Sequence, residues 1–123
     1  MVRPGRSAKV QQRRRERRSE AVSTRRLDKL IEQATVDCYN DSEQIAGFHT
    51  MVEENLDLPF KTRVLGVDVR VKGVELTETQ EIVAICTRGR IRQAIPLVRL
   101  PLPRPLPRGA EWIEAYRRWA RTR

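Results

Sequence analysis

At Leu58-Pro59-Phe60 the apolar residues of this chain change their period, and the change separates what can be helix from what can be strand. Before it, Leu27, Leu30, Ile31, Ala34 and Cys38 recur at i, i+3, i+4, i+7 and i+11, one face of an amphipathic helix that Ser23 or Thr24 is placed to cap. Beyond a break at Tyr39-Asn40-Asp41, the run Asp41-Ser42-Glu43-Gln44 matches a capping pattern. Ile45, Phe48, Val52 and Leu56 then keep helical spacing, which predicts a second helix over 42–56. Proline disfavours helical backbone in the residue before it, so Leu58-Pro59 closes this half.

After Phe60 the period is two. Val67, Val69 and Val71 alternate with Asp68, Arg70 and Lys72 in the pattern of a half-buried antiparallel strand, and Gly73 before Val74 and Leu76 marks a bulge. Glu81–Cys86 is a more continuous apolar run, and Thr87-Arg88-Gly89-Arg90 supplies a turn into Ile91–Ile95. Three to four strands thus form a small antiparallel sheet or curled barrel. Leu100–Pro107 alternates with proline and can join neither a helix nor a central strand, so an extended proline-rich strap is expected, its leucines on the core. Gly109-Ala110 opens a last helix with Trp112, Tyr116 and Trp119 on one stripe, expected to dock on the sheet rather than to stack on bases. The fold class is α+β.

The net charge of +9 hides three unlike parts. Residues 1–26 hold ten Lys or Arg against two acids, residues 27–87 hold five against twelve, and residues 88–123 hold ten against two. The first part carries Arg13, Arg14, Arg15, Arg17 and Arg18 with few large apolar side chains, so nothing there offsets the entropy of ordering. Residues 1–22 therefore read as a detachable, disordered arginine-rich arm and 23–123 as one domain, since the remaining length does not support two cores. No apolar run approaches the ~18 residues that span a bilayer, and the basic N-terminus lacks a signal peptide's apolar stretch. A cytoplasmic protein with no membrane partner is expected. In that compartment Cys38 and Cys86 read as small core hydrophobes rather than as a disulfide.

The inventory for catalysis is thin. There is one histidine, His49, and no glycine-rich phosphate loop, GxSxG elbow or HExxH occurs, so the chain reads as a binding protein and not an enzyme. His49, Cys38 and Cys86 have neither the number nor the spacing for zinc. Hard cations take several oxygen donors, and Asp37, Asp41, Glu43, Glu53, Glu54 and Asp57 gather around the two helices. If those helices pack antiparallel, the first three lie at the joined ends and the last three at the far end, so two clusters are as reasonable as one site. An EF-hand loop started at Asp37 would place Tyr39 at the third position, Ser42 at the glycine position and Phe48 at the final glutamate, and it fails at each. Acids near helix ends also serve simply to cap helices and solvate the surface.

The strings that carry these acids carry a resemblance as well. Ala34-Thr35-Val36-Asp37-Cys38-Tyr39-Asn40, Glu43-Gln44, Met51–Leu56 with Pro59-Phe60, Val64–Val67, Glu81–Cys86, Gln93–Pro96 and Trp112–Tyr116 occur in an order that resembles the small cyanobacterial calcium-binding protein family, CcbP-like, over residues 27–120. The resemblance implies a compact α+β binder of Ca2+ without EF-hands, buffering or regulating free calcium. It places Asp37, Glu43, Glu53 and Glu54 inside matching strings, with Asp41 and Asp57 adjacent. Glu114, and Glu111 beside it, would complete a shell if the last helix packs nearby. The competing reading is an accessory protein that holds nucleic acid or another polyanion through the arginines of residues 1–26.

Overall fold

A computed structural model describes residues 22–123. The arginine-rich arm, with Arg13, Arg14, Arg15, Arg17 and Arg18, lies outside the described residues. Among the described residues three helices and four strands follow in the order α1 (Thr24–Ala34), α2 (Asp41–Asn55), β1 (Phe60–Val64), β2 (Val67–Leu76), β3 (Ile82–Arg88), β4 (Ile91–Pro96) and α3 (Ala110–Arg121). No helix among the described residues is long and apolar enough to cross a membrane.

Ser23 caps α1, its hydroxyl accepting the Arg26 N–H at 3.1 Å, and Leu30 and Ala34 face inward as their spacing requires. The apolar stripe continues to Cys38 but the helix does not. The Thr35 N–H and hydroxyl both return to the Ile31 carbonyl, at 3.0 and 2.7 Å, and Asp37 turns into the left-handed region at φ 59°. Helix α2 starts one residue earlier than its spacing suggests, because the cap is Asn40. The Asn40 side chain accepts the Glu43 N–H at 2.8 Å, and the Glu43 carboxylate reaches back to the Tyr39 N–H at 3.0 Å. This reciprocal pair satisfies two donors that a helix start otherwise leaves open.

The strands pair in sequence order, each antiparallel to the next, with the register slipping between Val71 and Gly73 where the bulge was expected. Strands β1 and β4 remain edges, so the sheet is open and not a curled barrel. Helix α2 covers one face, laying Phe48 and Val52 on β2. The continuous apolar run of β3 buries every residue from Ile82 to Cys86; Ile82, Ala84 and Cys86 join the core, whereas Val83 and Ile85 lie outside that cluster. Both cysteines are free thiols, Cys86 buried and Cys38 half-buried.

The last helix corrects one expectation: it packs chiefly against α1 and α2, and it meets the sheet only at side chains such as Tyr116, whose hydroxyl reaches the Ile82 backbone. Phe48 of α2 meets Tyr116 and Trp119 with ring centroids 5.7 and 5.3 Å apart, so the aromatic stripe is core. Between β4 and α3 the chain has neither helix nor strand, and the proline-rich strap is not shown as a regular element. Leu97 and Leu100 are nonetheless fully buried, and the Arg117 guanidinium donates to both of their carbonyls.

Burial pushes the Cys86 thiol above its ordinary 9.0. It does the same to the Tyr116 hydroxyl, ordinarily at 10.0, where the backbone at Ile82 works against the shift and the charge of Glu81 adds to it. A folded-state pKa above the unfolded one means that the folded chain holds the proton more tightly. The stability from that proton is whole below the ordinary values and is lost as pH rises through the raised ones. Urea midpoints followed upward from neutral pH are expected to fall once pH passes 9.0, where Cys86 begins to lose its contribution, and more steeply past 10.0, and a flat midpoint above 10.0 would contradict the packing of Tyr116.

Candidate functional site

Helix α2 carries the candidate acids at its two ends. Fifteen residues at ~1.5 Å rise put Asp41 and Asn55 about 21 Å apart, whereas one calcium ion holds its oxygens at about 2.3–2.6 Å. The eight candidate carboxylates therefore cannot form a single shell.

At the N-terminal end, two of the three expected acids are already engaged. Glu43 is spent on the cap, and Asp41 Oδ1 lies 3.1 Å from Arg123 Nη1. The Arg123 guanidinium stands 4.6 Å over the Trp119 ring and also donates to Gln44, so it is held in place from three sides. Asp37 is exposed and carries no ion pair among the described residues. Sequence reasoning missed a neighbour here: Ser42 donates to Gln80 at 3.0 Å, which brings the β2–β3 loop, with Glu78 and Glu81 in it, against the start of α2. No spacing in the chain signals a contact across 38 positions. Acids in a first turn also suit the positive end of the helix dipole, so this cluster is explained by helix stability alone.

The C-terminal end differs. Glu53 and Glu54 occupy the last turn of α2 and Asp57 follows it, where the dipole is negative and no basic residue stands in the turn. Three carboxylates there repel the helix end and one another. Glu53 has a weak partner in His49, at 3.6 Å, whose ring lies 3.4 Å from the Val74 carbonyl. The Glu54 and Asp57 carboxylates are exposed and have no ion pair among the described residues.

Helix α3 begins beside this end. The Asp57 N–H donates to the Arg108 carbonyl at 2.8 Å, and Gly109, at φ 88°, sits so close to the Asn55 carbonyl that no side chain fits between them. Glu111 follows in the first turn, its carboxylate 3.3 Å from Arg26, and Glu114 one turn on lies 3.7 Å from Arg117. Asp28 is likewise paired with Arg118 at 2.9 Å. Arginines thus pair with Asp28, Asp41, Glu111 and Glu114, whereas Glu32, Asp37, Glu43 and the acids at the end of α2 have no arginine partner among the described residues.

Among the described residues no three His, Cys, Asp or Glu side chains stand together as a formed metal-holding group. The donors at the end of α2 have the chemistry for a hard cation, oxygen and negative charge, but as placed they do not make a shell. The arginines of the polyanion reading lie outside the described residues.

Comparison with known proteins adds one finding. A family model described as calcium binding, Calci_bind_CcbP, matches residues 28–120, well over half of the chain. No curated protein and no solved structure matches it.

Proposed function

The chain belongs to the CcbP calcium-binding family, and from that premise we propose that it is a non-EF-hand binder of Ca2+, not an enzyme, that buffers or regulates free calcium inside the cell. The ion is drawn to the C-terminal end of α2, with Glu53, Glu54 and Asp57 as the first donors and Glu111 joining them. One observation carries this choice: these acids sit at the negative end of a helix with no basic residue in its last turn. A cation there relieves the repulsion among these carboxylates and the helix end. At the other end Asp37, Asp41 and Glu43 form the weaker second cluster, because capping and Arg123 already occupy two of the three. Glu114, half-buried against Arg117, is the least available of the eight.

The Glu54 and Asp57 side chains are exposed and Glu53 is held only by His49, so a shell gathers on binding rather than waiting preformed. Gathering it restricts those side chains, and Glu111 must leave Arg26 to take part. Both effects oppose binding, which makes a weak buffer the natural outcome. Titration calorimetry of the full chain with calcium, in the presence and absence of magnesium, tests the reading. A saturable calcium heat that magnesium does not displace is expected, and no heat at millimolar calcium would sink it.

A further inference from the structure

The end of the sheet farthest from the β2–β3 loop has a composition that neither the core nor a cation site explains. Hairpin β1–β2 turns at Leu65-Gly66, between the paired residues Val64 and Val67. Hairpin β3–β4 turns at Gly89-Arg90, between the paired residues Arg88 and Ile91. In a four-strand meander these two turns share one end, and Arg88 Nη1 ties them by donating to the Asp68 carbonyl at 3.2 Å. Leu65 there is 97% exposed, Ile91 67% and Val67 41%.

Leu65 is the more telling of these because its backbone is left-handed, at φ 51°, followed by Gly66 at 76°. A two-residue turn with both φ values positive favours Asn, Asp or Gly in its first place, and a leucine there is strained. The side chain gains nothing inside the molecule in return, since it touches almost none of it. Strain kept without a packing gain points to a contact outside the fold.

The charge around these tips says what that contact is. Residues 61–70 and 88–92 hold six Lys or Arg against a single acid, Asp68; Arg63 neutralises it at 3.0 Å and Arg92 pairs with Glu75 at 3.2 Å, which leaves Lys61, Arg70, Arg88 and Arg90 without an acidic partner among the described residues. We propose that this end of the sheet docks on an anionic lipid bilayer, with Leu65 and Ile91 entering the headgroup boundary and the arginines facing the lipid phosphates and carboxylates. Exposed aliphatic tips favour a bilayer over a nucleic acid, which would use the arginines but gain nothing from leucine. Neither segment contains an aromatic residue to stack on a base. That no helix among the described residues is long and apolar enough to cross a membrane does not bear on docking, which needs only a surface.

Co-sedimentation of the full chain with vesicles of phosphatidylcholine alone, or of phosphatidylcholine with phosphatidylserine, tests this. The chain is expected to bind the second kind only, less at high salt. Leu65→Asp with Ile91→Asp is expected to weaken binding at least about tenfold although every arginine remains, and Arg90→Gln about fivefold. Leu65→Asn separates contact from folding, because it should raise the thermal midpoint while lowering vesicle binding. The proposal is overturned if the double aspartate variant binds vesicles as the native chain does, which would assign binding to charge elsewhere. It is equally overturned if vesicles do not bind while a single-stranded oligonucleotide does and Arg90→Gln weakens that binding.

Discussion

Gly47→Ala is expected to lower the thermal midpoint by about 10 °C, from a loss of roughly 2 kcal/mol or more. A methyl group at Gly47 would overlap the Ala34 carbonyl oxygen and lie 3.2 Å from the carbonyl carbon, with Cys38 Sγ at 3.7 Å. Backbone cannot swing aside as a side-chain tip does, so α1 and α2 must separate, and with them Leu30, Ala34, Phe48 and Val52 of the core. The substitution would otherwise gain about 1 kcal/mol of helix propensity, so a fall in stability reports the close helix crossing directly. Gly73→Ala is the control. A methyl group there meets nothing within 4 Å, and the midpoint should move by no more than a degree or two. Equal midpoints for native and Gly47→Ala proteins would contradict the crossing.

Glu54→Gln combined with Asp57→Asn is expected to remove calcium-dependent stabilisation. A ligand at a hundred times its Kd raises stability by about 2.7 kcal/mol, and the double variant should lose that increment. Without calcium the same variant should be slightly more stable than the native chain, because two negative charges leave the negative end of α2. The two effects have opposite signs, which separates a lost cation site from general damage to the fold. Asp37→Asn, at the other end of the helix pair, should leave the calcium increment in place. If it instead abolishes the increment, the site lies at the α1–α2 turn.

The periodicities of the chain carried the three helices, the last three strands, the bulge at Gly73, a turn before Ile91 and the place of Pro59, since each depends on neighbours in sequence, but not strand β1 (Phe60–Val64), nor that Thr87 and Arg88 belong to β3 and leave a turn of two residues. What they did not carry depends on contacts across long separations. Cys38 continues the apolar stripe of α1, yet the Thr35 cap ends the helix before it. The aromatic stripe of α3 was readable as core but not its partner, because Phe48 and the sheet are equally apolar as sequence. Gly47 stood inside a helical pattern with no visible reason until Ala34 appeared against it.

The acids follow the same rule. That they fall in two groups followed from helix length, whereas which group is free did not. Arg123 on Asp41, Arg26 on Glu111 and Arg118 on Asp28 join residues more than 80 positions apart, and these ion pairs decide which carboxylates remain for a cation. The family match at 28–120 says what is bound and is silent on where.

Backbone amide NMR of the full chain during a calcium titration tests the central claim most directly. Saturable shifts at Glu53, Glu54 and Asp57, extending across the Asp57–Arg108 hydrogen bond to Glu111, are the expected result. Shifts confined to Asp37, Asp41 and Glu43, or none at millimolar calcium, would contradict it.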